Sequence, residues 1–292
     1  MINTHKLIIK PFIEKLKSAY KESYGNMEPA YSNVIEFTAS LALENISNCD
    51  ALYHNVEHTI MVALAGQQIL RGKHLIEGGV TPRDWLHYMM ALMCHDIGYV
   101  KGICRGDKDG EYATGIDEQT VKIKQGGSCA VLAPYHVDRG KRFIKERFGG
   151  KRLVDVDVDT VISFIEMTRF PIPDDETYKE TSSYAGLVRA ADFIGQLGDP
   201  GYLRKIPALF FEFEETGANE SIGYKTPEDM RNSYAKFYWA VVNPYIKNGL
   251  GYLHVTQEGK LWISNLHSHV FTVEHKEDAT QFSNKALKSF RD

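Results

Sequence analysis

Apolar residues recur at three- and four-residue intervals along most of the chain, and clean two-residue alternation is rare. The pattern predicts helices over 4–22, 30–48, 55–71, 82–98, 137–148, 158–169, 183–197, 200–216 and 227–248, an all-α protein. Segment 82–98 is the best signalled: Thr81 is a cap, Pro82 takes the first helical position, and Asp84 complements the helix dipole. Between about 99 and 130 the helical pattern lapses, and Gly102, Gly106, Gly110, Gly115, Gly126 and Gly127 mark a long loop with a hairpin around 111–124. Loops of that length in compact domains are usually functional, so this one is expected to cover a site. From about 250 the pattern reads equally as short strands or a closing helix. No repeat or linker divides the chain, which predicts one domain over 1–292, its core at about 30–250 and helical decorations at both ends.

Composition narrows the classes. The chain has 292 residues, 43% hydrophobic and 25% charged, which excludes a disordered or low-complexity protein. It is long enough to bury a core without disulfides or structural metal, so any metal ligands are free to be catalytic. Lys and Arg total 34 against 38 Asp and Glu, a net charge of −4, which argues against a nucleic-acid polymer or an anionic membrane as the main partner. A small anionic substrate stays compatible. Cys49, Cys94, Cys104 and Cys129 form no CxxC pair and fit thiols in a reducing compartment. Leu7-Ile8-Ile9 is too short for a signal-peptide core, and no apolar run approaches the ~18 residues needed to span a bilayer. These features predict a soluble, cytoplasmic protein. Oligomeric state, homodimer included, is left open.

The chemistry concentrates in Tyr53-His54-Asn55-Val56-Glu57-His58, His95-Asp96 and Arg189-Ala190-Ala191-Asp192. On a helix His54 and His58 project from one face, a turn apart. His95 and Asp96 cannot share a face of a straight helix, but at a helix end, which Gly98 supplies, the last turn aims both at one point. Two polar residues after Met89-Met90-Ala91-Leu92-Met93-Cys94 are costly to bury unless paired or metal-bound, and Asp192 lies in the same predicament between Ala191 and Phe193. Imidazole nitrogen and carboxylate oxygen suit Zn, Fe, Mn or Mg, and such an ion lowers the pKa of bound water and neutralises phosphoryl charge. Asp96 has two oxygens and could bridge a second ion.

The ordered set His58, His95-Asp96, Asp192 resembles the H…HD…D pattern of the HD superfamily of metal-dependent phosphohydrolases, and more closely its cyclic-nucleotide phosphodiesterase branch. The resemblance covers roughly residues 53–250 and implies an HD-domain helical bundle. It implies two divalent metals, with His58, His95, Asp96 and Asp192 as ligands and His54 as general acid, and hydrolysis of a cyclic nucleotide or related nucleotide. Asp199-Pro200, Glu212-Phe213 and Gly217 are similar to the branch's downstream segment, and Phe237 falls at its base-clamping phenylalanine. Two positions depart from it. Tyr99 stands where the branch has a histidine near the second metal, and Tyr234 stands where it has a base-binding glutamine, whose paired donor and acceptor a hydroxyl cannot reproduce. A nucleotidase or nucleoside-triphosphate hydrolase, a di-iron oxygenase and a regulatory nucleotide-binding module are the competing readings.

Further candidates come from charge. His136, Arg139 and Lys141 near one helix start, and Lys101 beyond the HD pair, are cations able to meet a phosphate. Each also reads as a solvated basic face. His136 could assist the second metal in place of Tyr99. Asp155, Asp157, Asp159 and Glu166 match four positions of a calcium loop, but Thr160 occupies the place that requires glycine, and capping of a helix start explains the same letters. Glu166 and Thr168 are expected to face the HD pair. His267, His269 and His275 read as surface residues, and Phe210, Phe211, Phe213, Phe237, Tyr238 and Trp239 as mainly core.

Overall fold

Apolar spacing and caps together account for the helices. The computed structural model describes residues 4–276 except 151, 152 and 154. Helix α1 (Thr4–Tyr24) buries Ile9, Phe12, Ile13, Leu16 and Tyr20, and α2 (Pro29–Ile46) buries Tyr31, Val34, Ile35, Ala39, Ala42, Leu43 and Ile46, each a stripe at three- and four-residue spacing. Helix α3 (Val56–Glu77) starts where Asn55 accepts the backbone N–H groups of Glu57 and His58. Helix α4 (Pro82–Cys94) opens with a reciprocal Thr81 and Asp84 capping box, and every residue from Trp85 to Cys94 is buried. It is the central helix, against α2 and α3.

The chain then leaves the α-helix. Asp96 takes φ −101° and ψ 5°, and a 3-10 turn covers Ile97–Tyr99. The helix expected to run to 98 thus ends at Cys94. The glycine-rich loop holds a hairpin, β1 (Glu111–Ala113) against β2 (Thr120–Lys122), with Tyr112 opposite Val121. A 3-10 helix, Cys129–Tyr135, leads into α5 (His136–Phe148), and α6 (Val158–Glu166) begins where Asp157 caps Asp159 and Thr160. The acidic run before α6 is therefore a helix cap.

Helix α7 (Tyr184–Leu197), capped by Ser183, packs along α3. Gly195 makes that approach close: a Cβ there would lie 2.5 Å from the Cα of Val62. Helices α8 (Tyr202–Thr216) and α9 (Ala218–Ile222) follow. The single helix expected over 227–248 is instead α10 (Pro227–Asn232), α11 (Tyr234–Phe237), a π-helical turn at Tyr238–Val242, and α12 (Asn243–Leu253). Pro244 has no N–H to give the carbonyl four residues back, and the Asn243 N–H reaches five residues back to Tyr238. The ambiguous tail is a helix, α13 (Gln257–Glu274), capped by Thr256. One continuous apolar cluster runs from Ile9 to Val270, so the core extends beyond 30–250. The fold is all-α, and among the described residues no helix is long and apolar enough to cross a membrane.

Candidate metal centre

Three local structures bring the polar insertions together. The first turn of α3 carries His58, the end of α4 carries His95 and Asp96, and α7 carries Asp192 opposite α3. Because α4 stops at Cys94, the imidazole and the carboxylate that follow turn toward the same point. His58 Nε2 lies 3.4 Å from His95 Nε2, 3.3 Å from Asp96 Oδ2 and 3.6 Å from Asp192 Oδ1. His95 Nε2 lies 3.1 Å from Asp96 Oδ2 and 3.6 Å from Asp192 Oδ1.

These spacings test the fit to a cation. Ligand atoms about 2.1 Å from one ion stand about 3.0 Å apart at octahedral edges and about 3.4 Å apart at tetrahedral ones. The five distances scatter around that range. The proton inventory agrees. His95 Nδ1–H donates to the Leu92 carbonyl at 2.8 Å, which leaves Nε2 as the ring nitrogen that faces the cluster. Asp96 Oδ2 is buried without a hydrogen-bond partner, a costly position that a cation at this point relieves. Burial opposes charge on His95, yet Asp96 and Asp192 raise it to about 9. Burial likewise opposes ionisation of Asp96, but His95 and His58 hold its carboxyl well below the usual range. The negative field that favours a proton at this point would favour a divalent cation as well. Two groups, His58 with His95 and Asp192, and His54 with His58 and Asp96, are placed to hold a metal ion. Asp192 keeps 19% of its side chain exposed, which leaves the centre open on that side.

His54 stands beside the cluster and has its own buried partner. Its Nδ1 is 2.5 Å from Glu212 Oε2, and Glu212 Oε1 accepts the backbone N–H groups of Tyr53 (2.6 Å) and His54 (3.1 Å). Burial disfavours the imidazolium, but Glu212, with help from Asp96 and Asp192, outweighs it and raises His54 to about 9. Glu212 thus favours the protonated form of the ring. Glu212 went unread as a partner in the sequence. The signal was there: an acid between Phe211 and Phe213 is the same kind of polar insertion as Asp192.

Tyr99 has the second unread role. Its ring stacks on His54 at 4.4 Å between centroids and 12° between planes, and faces His136 at 4.7 Å. His136 reaches this place because Gly98 lets the 3-10 turn touch the start of α5; a Cβ on Gly98 would lie 1.9 Å from the His136 carbonyl. His136 Nδ1–H donates to Ala133 at 2.6 Å, its Nε2 is 3.9 Å from Asp96 Oδ1, and burial lowers its pKa, which favours the neutral, ligating imidazole. The structure thus brings His54, His58, His95, Asp96, Asp192 and His136 together.

The other expected substrate contacts are engaged elsewhere. Arg139 is wholly buried. Its guanidinium donates to the Gly98 (2.7 Å), Val100 (2.9 Å) and Ala113 carbonyls and forks onto Asp107 at 3.0 and 2.9 Å. With every donor used, it staples the glycine-rich loop to α5 and cannot meet a phosphate. Lys101 donates to the Gly127 carbonyl, a second staple of the same loop. Tyr234 is buried, its hydroxyl given to the Leu197 carbonyl at 3.3 Å, so it offers a substrate no hydroxyl. Phe237 is half-buried, packed edge-on against Phe170 at 6.0 Å. Glu166 is taken by Lys141, Arg169 and Tyr178, and the Thr168 hydroxyl by the Ile165 carbonyl, so neither faces the HD pair. Among the tail histidines, His269 is buried against the Leu197 carbonyl. Phe211 and Trp239, expected mainly in the core, are about half exposed. On the α8 side of His58 a cavity of about 140 Å³ is lined by Tyr53, Asn55, Asp199 and Lys205 among others. There Lys205 pairs with Asp199 at 2.6 Å and Glu57 at 2.8 Å.

Fold and site define an all-α protein with a cluster of imidazoles and carboxylates, largely buried, whose ligand atoms lie close enough together to hold a metal ion. The model of the Npun_R2479-like family matches residues 2–276, and the chain belongs to that family. No curated protein matches the sequence.

Proposed function

We propose that this protein is a metal-dependent phosphohydrolase of the HD type, acting on a phosphoester of the nucleotide class, with a cyclic nucleotide as the leading substrate. The observation that carries the reading is the convergence of His58, His95, Asp96 and Asp192, with five ligand-atom distances of 3.1–3.6 Å. A divalent ion held there supplies an acidified water and neutralises negative charge on a phosphoryl group. The second carboxylate oxygen of Asp96, with the neutral Nε2 of His136 beside it, offers places for a second ion. His54 keeps a proton on the imidazole through Glu212 and gives it to the departing oxygen as the ester breaks. Tyr99 holds the His54 ring in plane from one face. Asp192, the most open of the four, faces the approaching substrate's side.

His136 also favours a second reading, an iron-dependent oxygenase, because it sets a further imidazole beside Asp96, and imidazole with carboxylate suits iron. The experiment that separates the two is a panel of cyclic nucleotides, mononucleotides and a chromogenic phosphodiester with Mn, Zn and Fe supplied separately. Phosphate-ester cleavage that falls on His54→Ala, with metal content kept, is the expected result. Uptake of oxygen with an iron chromophore and no ester cleavage selects the oxygenase. Full activity of His54→Ala on every ester removes the general-acid assignment.

A further inference from the structure

The cavity on the α8 side of His58 is walled by groups that the proposed chemistry leaves unused. It measures about 140 Å³ and lies between the segment leading into α3 and the start of α8. A buried water needs about 10–15 Å³ of such space, so the cavity has room for far more than one bridging water. Tyr53 is 3% exposed, and its hydroxyl has no hydrogen-bond partner among the described residues. His58 is shared with the metal centre: its Nε2 lies in that cluster, and its Nδ1 is buried without a partner. Lys205 has three N–H donors and spends two of them, on Asp199 at 2.6 Å and Glu57 at 2.8 Å. Buried polar groups are normally paired, so two orphans on the wall of one cavity call for an occupant.

We infer that this cavity binds a neutral, hydroxyl-bearing group of the pentose class. One ammonium between two carboxylates leaves the wall net negative, which disfavours a phosphate or carboxylate ligand. A cationic amine is also a poor fit, because it is a donor only. It cannot accept from Lys205 or Tyr53, nor from a His58 ring that gives Nε2 to an ion and keeps its proton on Nδ1. Asp199 offers such an amine no spare oxygen, since Oδ1 accepts the Gly201 N–H at 2.7 Å and Oδ2 accepts Lys205. Asn55 is occupied as well, capping α3 and donating to the Leu52 carbonyl. A hydroxyl group both accepts and donates. It can take the remaining Lys205 N–H or the Tyr53 O–H and give its own proton to the Glu57 oxygen that Lys205 leaves unused. Leu52 and Ala208 complete the wall with apolar surface suited to the C–H face of a sugar ring. The site is defined by groups outside the ester-cleaving set, apart from the shared His58 wall, and does not depend on the phosphohydrolase reading.

The test titrates methyl β-D-ribofuranoside, which carries no phosphate, into the full-length protein and follows binding by saturation-transfer NMR. Sodium phosphate and methylammonium chloride are titrated separately. The expected result is saturable furanoside binding at millimolar concentration. Tyr53→Phe, which loses one hydrogen bond, should weaken it about fivefold. Ala208→Leu, which fills the cavity, should abolish it. Tyr53→Phe keeps the ring and its packing, so it carries the test if Ala208→Leu fails to fold. Lys205→Met is not the variant of choice, because it strips the buried Asp199 of its cation. Absence of furanoside binding overturns the proposal, as does binding that is unchanged in Tyr53→Phe. Tighter binding of phosphate or methylammonium that Ala208→Leu abolishes overturns the choice of a neutral ligand. No turnover enters the measurement, so a failed titration and a failed ester-cleavage panel are separate results.

Discussion

Replacing Arg139 with Met tests whether this side chain is a staple or a substrate contact. Met matches the length of the aliphatic stem and removes the fork, leaving Asp107, whose side chain is 1% exposed, as a buried carboxylate without its cation. Breaking a buried pair from one side costs about 3–5 kcal/mol, and the Gly98, Val100 and Ala113 carbonyls lose their donors as well. Taking about 4 kcal/mol, and an unfolding entropy of about 2.1 cal/mol/K for each of 292 residues, the melting temperature should fall by about 6 °C. Arg139→Met with Asp107→Leu removes both partners and should regain part of the loss. Thermal unfolding by circular dichroism gives the magnitude, and amide exchange locates the damage at 99–122 rather than at α3, α4 and α7. Arg139→Lys cannot fork onto Asp107 and should lose most of the same stability. An unchanged melting temperature and unchanged loop exchange in Arg139→Met would refute the staple.

Two further outcomes follow from other charges. Glu212→Gln removes the charge that keeps His54 protonated up to about 9, so its acid form should disappear at lower pH. The alkaline fall of ester cleavage should then move to lower pH than in the wild type, and a pH–rate profile with an imidazole NMR titration reads that change. Glu166 is held down to about 2: burial opposes its ionisation, but hydrogen bonds from Arg169, Lys141 and Tyr178 prevail. A depressed carboxyl contributes stability above its unfolded value of about 4.3, lost as pH falls through about 2, so acid unfolding should cost up to about 3 kcal/mol over that window. Glu166→Gln should flatten the pH dependence there, measured by urea unfolding at pH 2.5 and 7; an identical slope in both proteins contradicts it.

How much was legible depended on whether a residue's neighbours lay close in sequence. Apolar periodicity and the caps at Thr81 and Asp157 are local, and the helices they mark are present, whereas the cap at Asn55 went unread and places His54 before α3 rather than on it. The polar insertions at His95-Asp96 and Asp192 were visible because charge inside an apolar helix is costly wherever it occurs. The roles of Arg139, Lys101 and Tyr234 were not visible, because they depend on carbonyls at Gly98, Gly127 and Leu197 that only the tertiary fold presents. A cation in sequence reads the same whether it faces solvent, a phosphate or the back of a loop. The break at Tyr238–Val242 was announced by Pro244, and continuous apolar spacing through that stretch hid it. Glu212 was legible in principle by the argument applied to Asp192.

The central claim is tested most directly by metal content. Protein purified without chelator, dialysed separately against Mn, Fe, Zn and Mg and analysed by inductively coupled plasma mass spectrometry, should retain at least one divalent ion per chain. Asp192→Asn and His95→Ala should lose that ion while keeping the helical circular dichroism of the wild type. A wild-type chain that stays folded and retains none of the four ions would contradict the account.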